Sequence, residues 1–367
     1  MNPMRRLMNQ FRKPLVGLDI GSSSIKLVIT SGSASALRLE LFDVEPLPED
    51  TIVGEEIMNS DAVVQALCAL RDRNGLRGAK VALATPATSQ MMLKLLSMPL
   101  EASALELEQL VRYEVNHGTA FPAQDAGTEL DYDFHPQQER PEVGKRDVLV
   151  LAVRKAQVAQ YVGEVRLAGF MPIFVEPEVV SLTNALERGY PEVMREPGLS
   201  FIYHIGAHYT SVTSLDKGEI FMATNVSEVG GDMITARLRQ ELGVSFEEAE
   251  QLKITEPDSR LVQDVMQGVL DNMLLAKLSK PIDFSIQQRH DLTPLRIYLT
   301  GGGGMMLALQ EALQARTDLP VERWDPFQGL DIRADRLPPG LRSQAFQATV
   351  ALGLSLHDKP DPKETAA

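Results

Sequence analysis

The chain has 367 residues, 44% hydrophobic and 23% charged, and its 36 Lys and Arg against 50 Asp and Glu leave a formal net charge of -14. That balance speaks against a broad nucleic-acid surface or attraction to anionic lipid, and the length allows two or more domain-sized units of a soluble globular kind. The single cysteine, Cys68, permits no intrachain disulfide, fits a reducing compartment, and lies in an apolar helical pattern where a small buried hydrophobe is expected.

In chain order, Met1 to Lys13 carries Arg5, Arg6, Arg12 and Lys13 without an apolar core behind them. It reads as a flexible basic leader, not a secretion signal. The run Leu15 to Ile20, broken by Gly21-Ser22-Ser23 and followed by Ile25, Leu27 and Ile29, predicts two strands around a tight turn. Such a turn is either a surface hairpin or a phosphate grip. In the second case Gly21 lets a ligand come close, the backbone amides and the hydroxyls of Ser22, Ser23 and Ser24 donate, and Lys26 adds a point charge. Asp19 would then hold a hydrated Mg²⁺ through water.

A third strand is expected over Leu37 to Val44, then a helix capped by Ser60 or Asp61 and ended at Asn74-Gly75, then a buried strand over Ala79 to Ala84. The texture changes between about 90 and 150. A helix with Leu107, Val111 and Val115 on one face, a strand over Leu130 to Phe134, a polar stretch from Pro136 to Lys145 and a strand over Asp147 to Val153 read as an inserted subdomain. A helix through Tyr161 and Val165 stops at Ala168-Gly169.

The stretch Leu199 to Ser214 repeats the opening hairpin, with His204-Ile205-Gly206 where Asp19-Ile20-Gly21 stood, and implies an internal duplication. Gly230-Gly231 opens a helix ended by Gly243, and Ser245 to Glu248 is a capping box. One long helical period runs from Val262 to Ala276 with Pro281 as its kink or end. A strand over Leu295 to Leu299 enters a third glycine turn, Thr300 to Gly304, before another helix. The tail from His357 is polar and reads as disordered. Every apolar run is cut by charge or Pro within about ten residues, where a membrane span needs about twenty.

Three glycine turns in this order resemble the actin-like nucleotide-binding superfamily. Within it, Val16 to Leu27, Leu149 to Val153, Ala168 to Pro172, Glu248 to Lys253 and Tyr298 to Gly303 are similar to the PilM family of type IV pilus assembly proteins, as are Phe121-Pro122 and Leu130-Asp131-Tyr132. The resemblance implies an α/β, actin-like ATPase fold with two duplicated domains around a nucleotide cleft, over 14–185 and 186–356, and an inserted subdomain of the type FtsA and PilM share. It implies ATP or ADP with Mg²⁺ as ligands. Ser22, Ser23, Ser24 and Lys26, with Gly206, Ala207 and Thr210, would take the phosphates, while Gly230, Gly231, Glu250, Lys253, Gly302 and Gly303 would bracket the adenosine. The water-positioning acid would be Glu178 or Glu176, with Glu178 in better register.

His204 stands where the second hairpin of such proteins opens with Asp, and an imidazole cannot replace a carboxylate in ordering a hydrated cation. At most a weak ATPase follows. The implied role is an assembly scaffold gripping the N-terminal peptide of a PilN-like single-span inner-membrane protein, in a groove between the first domain and the insertion, on the cytoplasmic face of that membrane. Pilus motor or platform proteins, or a second copy, are further partners in keeping with it. A superfamily kinase or ATPase and an FtsA-like filament former are the alternatives.

Overall fold

The computed structural model describes residues 15–33, 36–54, 56–86, 92–117, 129–256, 259–270, 272–333, 336–337 and 339–357. The expected leader, the Phe121-Pro122 motif and the tail beyond His357 lie outside the described residues. The first half runs β1 (Val16–Ile20), β2 (Ser24–Ser33), β3 (Ala36–Pro46), the small hairpin β4 (Ile52–Val53) and β5 (Glu56–Ile57), α1 (Ser60–Arg73) and β6 (Lys80–Thr85). There follow β7 (Met92–Pro99), α2 (Ala104–His117), β8 (Leu130–Arg140), β9 (Lys145–Arg154), α3 (Lys155–Leu167), β10 (Met171–Pro177) and α4 (Glu178–Gly189). The second half runs β11 (Leu199–Ile205), β12 (Tyr209–Asp216), β13 (Glu219–Ser227), α5 (Gly231–Leu242), α6 (Phe246–Thr255), α7 (Arg260–Val269), α8 (Asn272–Gln288), β14 (Pro294–Thr300), α9 (Leu307–Thr317), β15 (Val321–Arg323), β16 (Asp331–Ile332), α10 (Pro339–Arg342) and α11 (Thr349–Ser355).

Two sheets repeat one plan. The first has the order β10-β6-β1-β2-β3-β16 and the second β13-β12-β11-β14-β15. In each, an antiparallel meander (β1, β2, β3 or β11, β12, β13) continues on its first strand into parallel neighbours (β6 and β10, or β14 and β15). Reading β11 for β1 and β14 for β6 superimposes five strands of the first sheet on the second, with β16 left over, so the duplication expected from the hairpins extends to these five strands. Such parallel strands need buried faces, and Val81, Leu83, Ile297 and Leu299 are fully buried.

The segment 92–154 forms its own sheet, β7-β9-β8, with α2 on one face. Val148, Val150 and Ala152 pack toward Leu107 and Val111, while Leu149 joins the core that contains Ile220 of β13. The uninterrupted apolar run of β9 therefore has two buried faces to fill. Gln137 Nε2 donates to the Ile220 carbonyl at 3.2 Å and adds a polar tie between the insertion and β13.

The chain does not end where its second half packs. β16 adds parallel to β3, and α11 lies on β1 and against α4, so closely that a Cβ on Gly17 would come 1.9 Å from the Ala351 carbonyl oxygen and one on Gly353 1.9 Å from that of Ser181. Gly17 is thus required by a returning helix, not by the turn that follows it.

Several local expectations are corrected. Asn59, not Ser60 or Asp61, caps α1, its side chain accepting from Ala62 N at 3.1 Å. The polar stretch after Phe134 stays in strand to Arg140 because β9 pairs with it through Pro136 and again at Glu139 and Arg140, across an irregularity between them. The long period from Val262 breaks at Leu270 into α7 and α8, and Pro281 lies inside α8 instead of ending it. Helix α4, which supplies Glu178, was not foreseen. Among the described residues no helix is long and apolar enough to cross a membrane.

Candidate functional site

The two hairpins face each other across a cleft. In the first, Asp19 stands next to the end of β1 and is paired in register with Lys26 of β2, whose Nζ lies 3.4 Å from Asp19 Oδ2, the Lys26 and Asp19 side chains being 12% and 14% exposed. Gly21 N donates to the Ser24 carbonyl at 3.1 Å and tightens the turn. A Cβ on Gly21 would stand 2.7 Å from Lys26 Nζ, so the missing side chain is what lets the ammonium extend over the turn.

The second hairpin is built alike. Gly206 N donates to the Tyr209 carbonyl at 3.0 Å, and His204 is paired in register with Ser211. Position for position, His204 replaces Asp19, Ala207 replaces Ser22, Tyr209 replaces Ser24 and Ser211 replaces Lys26. The charged pair of the first hairpin has become a neutral one.

Between them lies a cavity of about 330 Å³. The first hairpin lines it with Asp19, Gly21, Ser22, Ser23 and Lys26, and the second with His204, Gly206, Ala207, His208 and Tyr209. Glu178, at the first turn of α4, closes its floor, and Asn225 and Glu228 flank it. Glu178 joins the two halves. Its Oε2 accepts from the Tyr209 hydroxyl at 2.9 Å, its Oε1 from Ser211 Oγ at 2.8 Å, and His204 Nε2 lies 3.8 Å from Oε1.

Burial pushes the His204 imidazole down to about 4, against the pull of Asp19 upward, while Lys26 adds to the depression. His204 is therefore neutral near pH 7, and its buried Nδ1 has no hydrogen-bond partner among the described residues. Burial and the Glu178 carboxylate both hold the Tyr209 phenol well above its usual range, so it remains a donor.

A strand-flanked Asp-Ile-Gly turn, its copy at mid-chain and an apposed cleft set the frame for comparison with known proteins. The family model for the type IV pilus assembly protein PilM matches residues 17–359. This chain belongs to the PilM family. Among solved structures, a PilM-PilN type IV pilus biogenesis complex aligns over 95% of this chain and 100% of its own with 24% identity and a TM-score of 0.77. The ethanolamine utilization protein EutJ from Carboxydothermus hydrogenoformans aligns over 93% of this chain and 88% of its own with 15% identity and a TM-score of 0.53. The shared architecture is the actin-like fold.

Several positions assigned through the PilM resemblance do not line the cavity. Ser24 Oγ turns inward to Gln347 Oε1 at 3.3 Å, and Thr210 Oγ1 donates to the Val229 carbonyl at 2.7 Å. Both are buried strand residues whose hydroxyls are taken up by these partners. Glu176 is turned away as well: it accepts from Ser181 Oγ at 2.6 Å and lies 2.7 Å from His357 Nε2. Only Pro177 separates it from Glu178, but that residue ends the strand and the helix that starts at Glu178 redirects the chain.

Gly230, Gly231, Glu250 and Lys253 sit behind the second hairpin. Gly231 N and Asp232 N donate to the Gly206 and Ala207 carbonyls at 2.9 and 2.8 Å, and a Cβ on Gly230 would fall 2.3 Å from the Ala207 oxygen. Lys253 Nζ donates to Thr235 Oγ1 at 2.7 Å and Glu250 Oε2 at 2.5 Å and reaches the Gly231 carbonyl at 3.2 Å, which fixes α6 to α5. A Cβ on Gly303 would meet Ile205 Cγ2 at 2.5 Å, and one on Gly302 would touch Gln347 Cγ at 3.4 Å. These glycines have packing reasons of their own.

Tyr209 and Ser211 were overlooked, although aligning the repeated hairpins places them opposite Ser24 and Lys26. So was His208, whose Nδ1 lies 3.6 Å from Asp232 Oδ2 at the N-terminus of α5, where burial raises the Asp232 carboxyl above its usual range.

Proposed function

We propose that this chain is a type IV pilus assembly scaffold, which holds the N-terminal cytoplasmic peptide of a PilN-like single-span inner-membrane protein and takes ATP or ADP with Mg²⁺ in its cleft. The observation that carries the docking role is strand β10. It is the edge of the six-stranded sheet, and Met171, Ile173, Phe174 and Val175 along it are 51, 42, 45 and 37% exposed. An edge strand without charge from Met171 to Val175, showing apolar side chains, is a template for an added strand: its backbone supplies affinity and its side chains supply selectivity. The edge lies in the half that carries the insertion, in keeping with a groove between the two. Held in this way, the protein would sit at the inner face of the membrane through its partner.

For the nucleotide, the cavity residues divide by chemistry. The Gly21 to Ser23 and Gly206-Ala207 turns offer amides and hydroxyls for phosphates, and Lys26 offers the one lysine ammonium in the described lining. Among the described residues no three His, Cys, Asp or Glu form a cage for a bare ion, so the donor set fits a hydrated Mg²⁺ carried by the phosphates, with Asp19 reaching it through water. When bound, the ion would neutralise phosphate charge. Asp19 would orient its waters, Lys26 would hold a terminal phosphate, and Glu178 is the acid nearest to a water on that phosphate. With neutral His204 in place of a second carboxylate and both Glu178 oxygens already accepting hydroxyls, hydrolysis is slow or absent. Residues 14–185 and 186–356 form the two halves of the clasp, with α11 handed back to the first.

Calorimetry with a synthetic N-terminal peptide of the PilN-type protein from the same genome tests the docking role. Saturable binding that Phe174→Asp abolishes, at unchanged melting temperature, is the expected result. No binding at high micromolar concentration would remove the proposal.

A further inference from the structure

Helix α11 runs across the face of the first sheet and delivers its end to the docking strand. Phe174 and Glu176 are two residues apart on β10 and opposite Ala82 and Ala84, whose face of β6 belongs to the core that α4 and α11 build. His357, two residues beyond α11, covers both. Its ring stacks on Phe174 with centroids 5.1 Å apart and planes 16° from parallel, and its Nε2 lies 2.7 Å from Glu176 Oε2. The other Glu176 oxygen accepts from Ser181 Oγ of α4 at 2.6 Å, so the carboxylate is held in place to receive the imidazole.

We propose that His357 is a gate on the β10 edge: docked on Phe174 and Glu176 it occupies the surface that an extended apolar peptide needs, and its release admits the peptide. The inference rests on the docking role proposed for β10. A strand added beside β10 brings its own side chains over Phe174, where the imidazole already lies, so the two occupants compete for one ring face.

The contact is sensitive to protonation. Among the described residues Glu176 of β10 is the charged group that acts on His357; Ser181 of α4 and the Phe174 ring are neutral. The hydrogen bond to Glu176 outweighs burial and raises the imidazole above its ordinary value. A protonated ring makes a charge-assisted bond, which is lost as pH rises through that raised value. The gate is therefore closed in mildly acidic medium and opens toward alkaline pH.

The test is the affinity of the same synthetic PilN-type peptide for the full chain at about pH 6 and about pH 8.5, in the wild type, His357→Ala and Glu176→Gln. The wild type is expected to bind roughly threefold or more tightly at the higher pH, and both variants to bind at the tighter value at either pH. Equal affinity of wild type and His357→Ala at both values, or the same pH dependence in both, overturns the gate while leaving the docking role intact. Absence of binding in all three proteins removes the docking role and the gate together.

Discussion

Tyr209 and Glu178 meet across the cleft, the phenol of β12 donating to the carboxylate of α4 at 2.9 Å, with Ser211 Oγ on the other oxygen at 2.8 Å. One partner belongs to each repeated half. The bonds hold the cleft together through the duplicated hairpin itself, because Tyr209 and Ser211 occupy the places of Ser24 and Lys26 in the first copy.

Removing either donor leaves a buried carboxylate oxygen short of a bond, which costs about 1–3 kcal/mol. Tyr209→Phe and Ser211→Ala should each lower unfolding stability by that order in urea titrations. Because both act on Glu178, the double variant should lose less or more than the sum by about 0.5 kcal/mol or beyond. Strict additivity would show that the two bonds do not share a load.

His204 makes the protein acid-sensitive. Its folded value, about 4, lies below the ordinary value of 6.5, so the unfolded chain takes up the proton first. Stability from this group is complete above the unfolded value and falls as pH drops from there toward about 4, by on the order of 3 kcal/mol if the shift is fully expressed. His357 acts in the opposite sense, contributing most below its unfolded value and less as pH rises through its raised folded value. Urea midpoints measured across this range should show a slope that His204→Asn flattens; an unchanged slope would contradict the assignment.

Gly17 and Gly353 are the tightest points of the return of α11. With a Cβ only 1.9 Å from a backbone oxygen in each case, Gly17→Ala or Gly353→Ala must push the helix off β1 or α4. A loss of about 1–3 kcal/mol or more is expected from overpacking, seen as a lower urea midpoint, whereas Gly75→Ala, with open space around it, should lose only through its positive φ.

Magnesium-ATP should raise the melting temperature, since a ligand at a hundred times its dissociation constant stabilises by about 2.7 kcal/mol. Lys26→Met should abolish that shift, as should a bulky residue at Gly21, whose Cβ would displace the ammonium. A shift retained in Lys26→Met would place the nucleotide elsewhere.

Much of this molecule is written in local signals. The hairpin at Asp19-Ile20-Gly21 and its copy at His204 are visible because a turn needs a residue without a side chain and the strands beside it need alternating apolar residues. The duplication, the capping box at Ser245 and the inserted unit follow from the same short-range rules, and the departure at His204 is plain once the copies are aligned. Which acid faces the cleft is not local. Register favours Glu178 over Glu176, but it is the junction of β10 with α4 that sends one to the cavity and the other to Ser181 and His357. Ser24 and Thr210 look like phosphate ligands until packing gives their hydroxyls Gln347 and the Val229 carbonyl as partners. Glu250 and Lys253 are spent on each other and on α5, because a buried ammonium must find acceptors wherever packing brings them. The sequence by itself determined the fold, the repeat and the loss of the second carboxylate. Tertiary structure alone decided the floor of the cleft, the exposed edge of β10 and the helix that returns across the first sheet, since each depends on contacts between residues far apart in the chain.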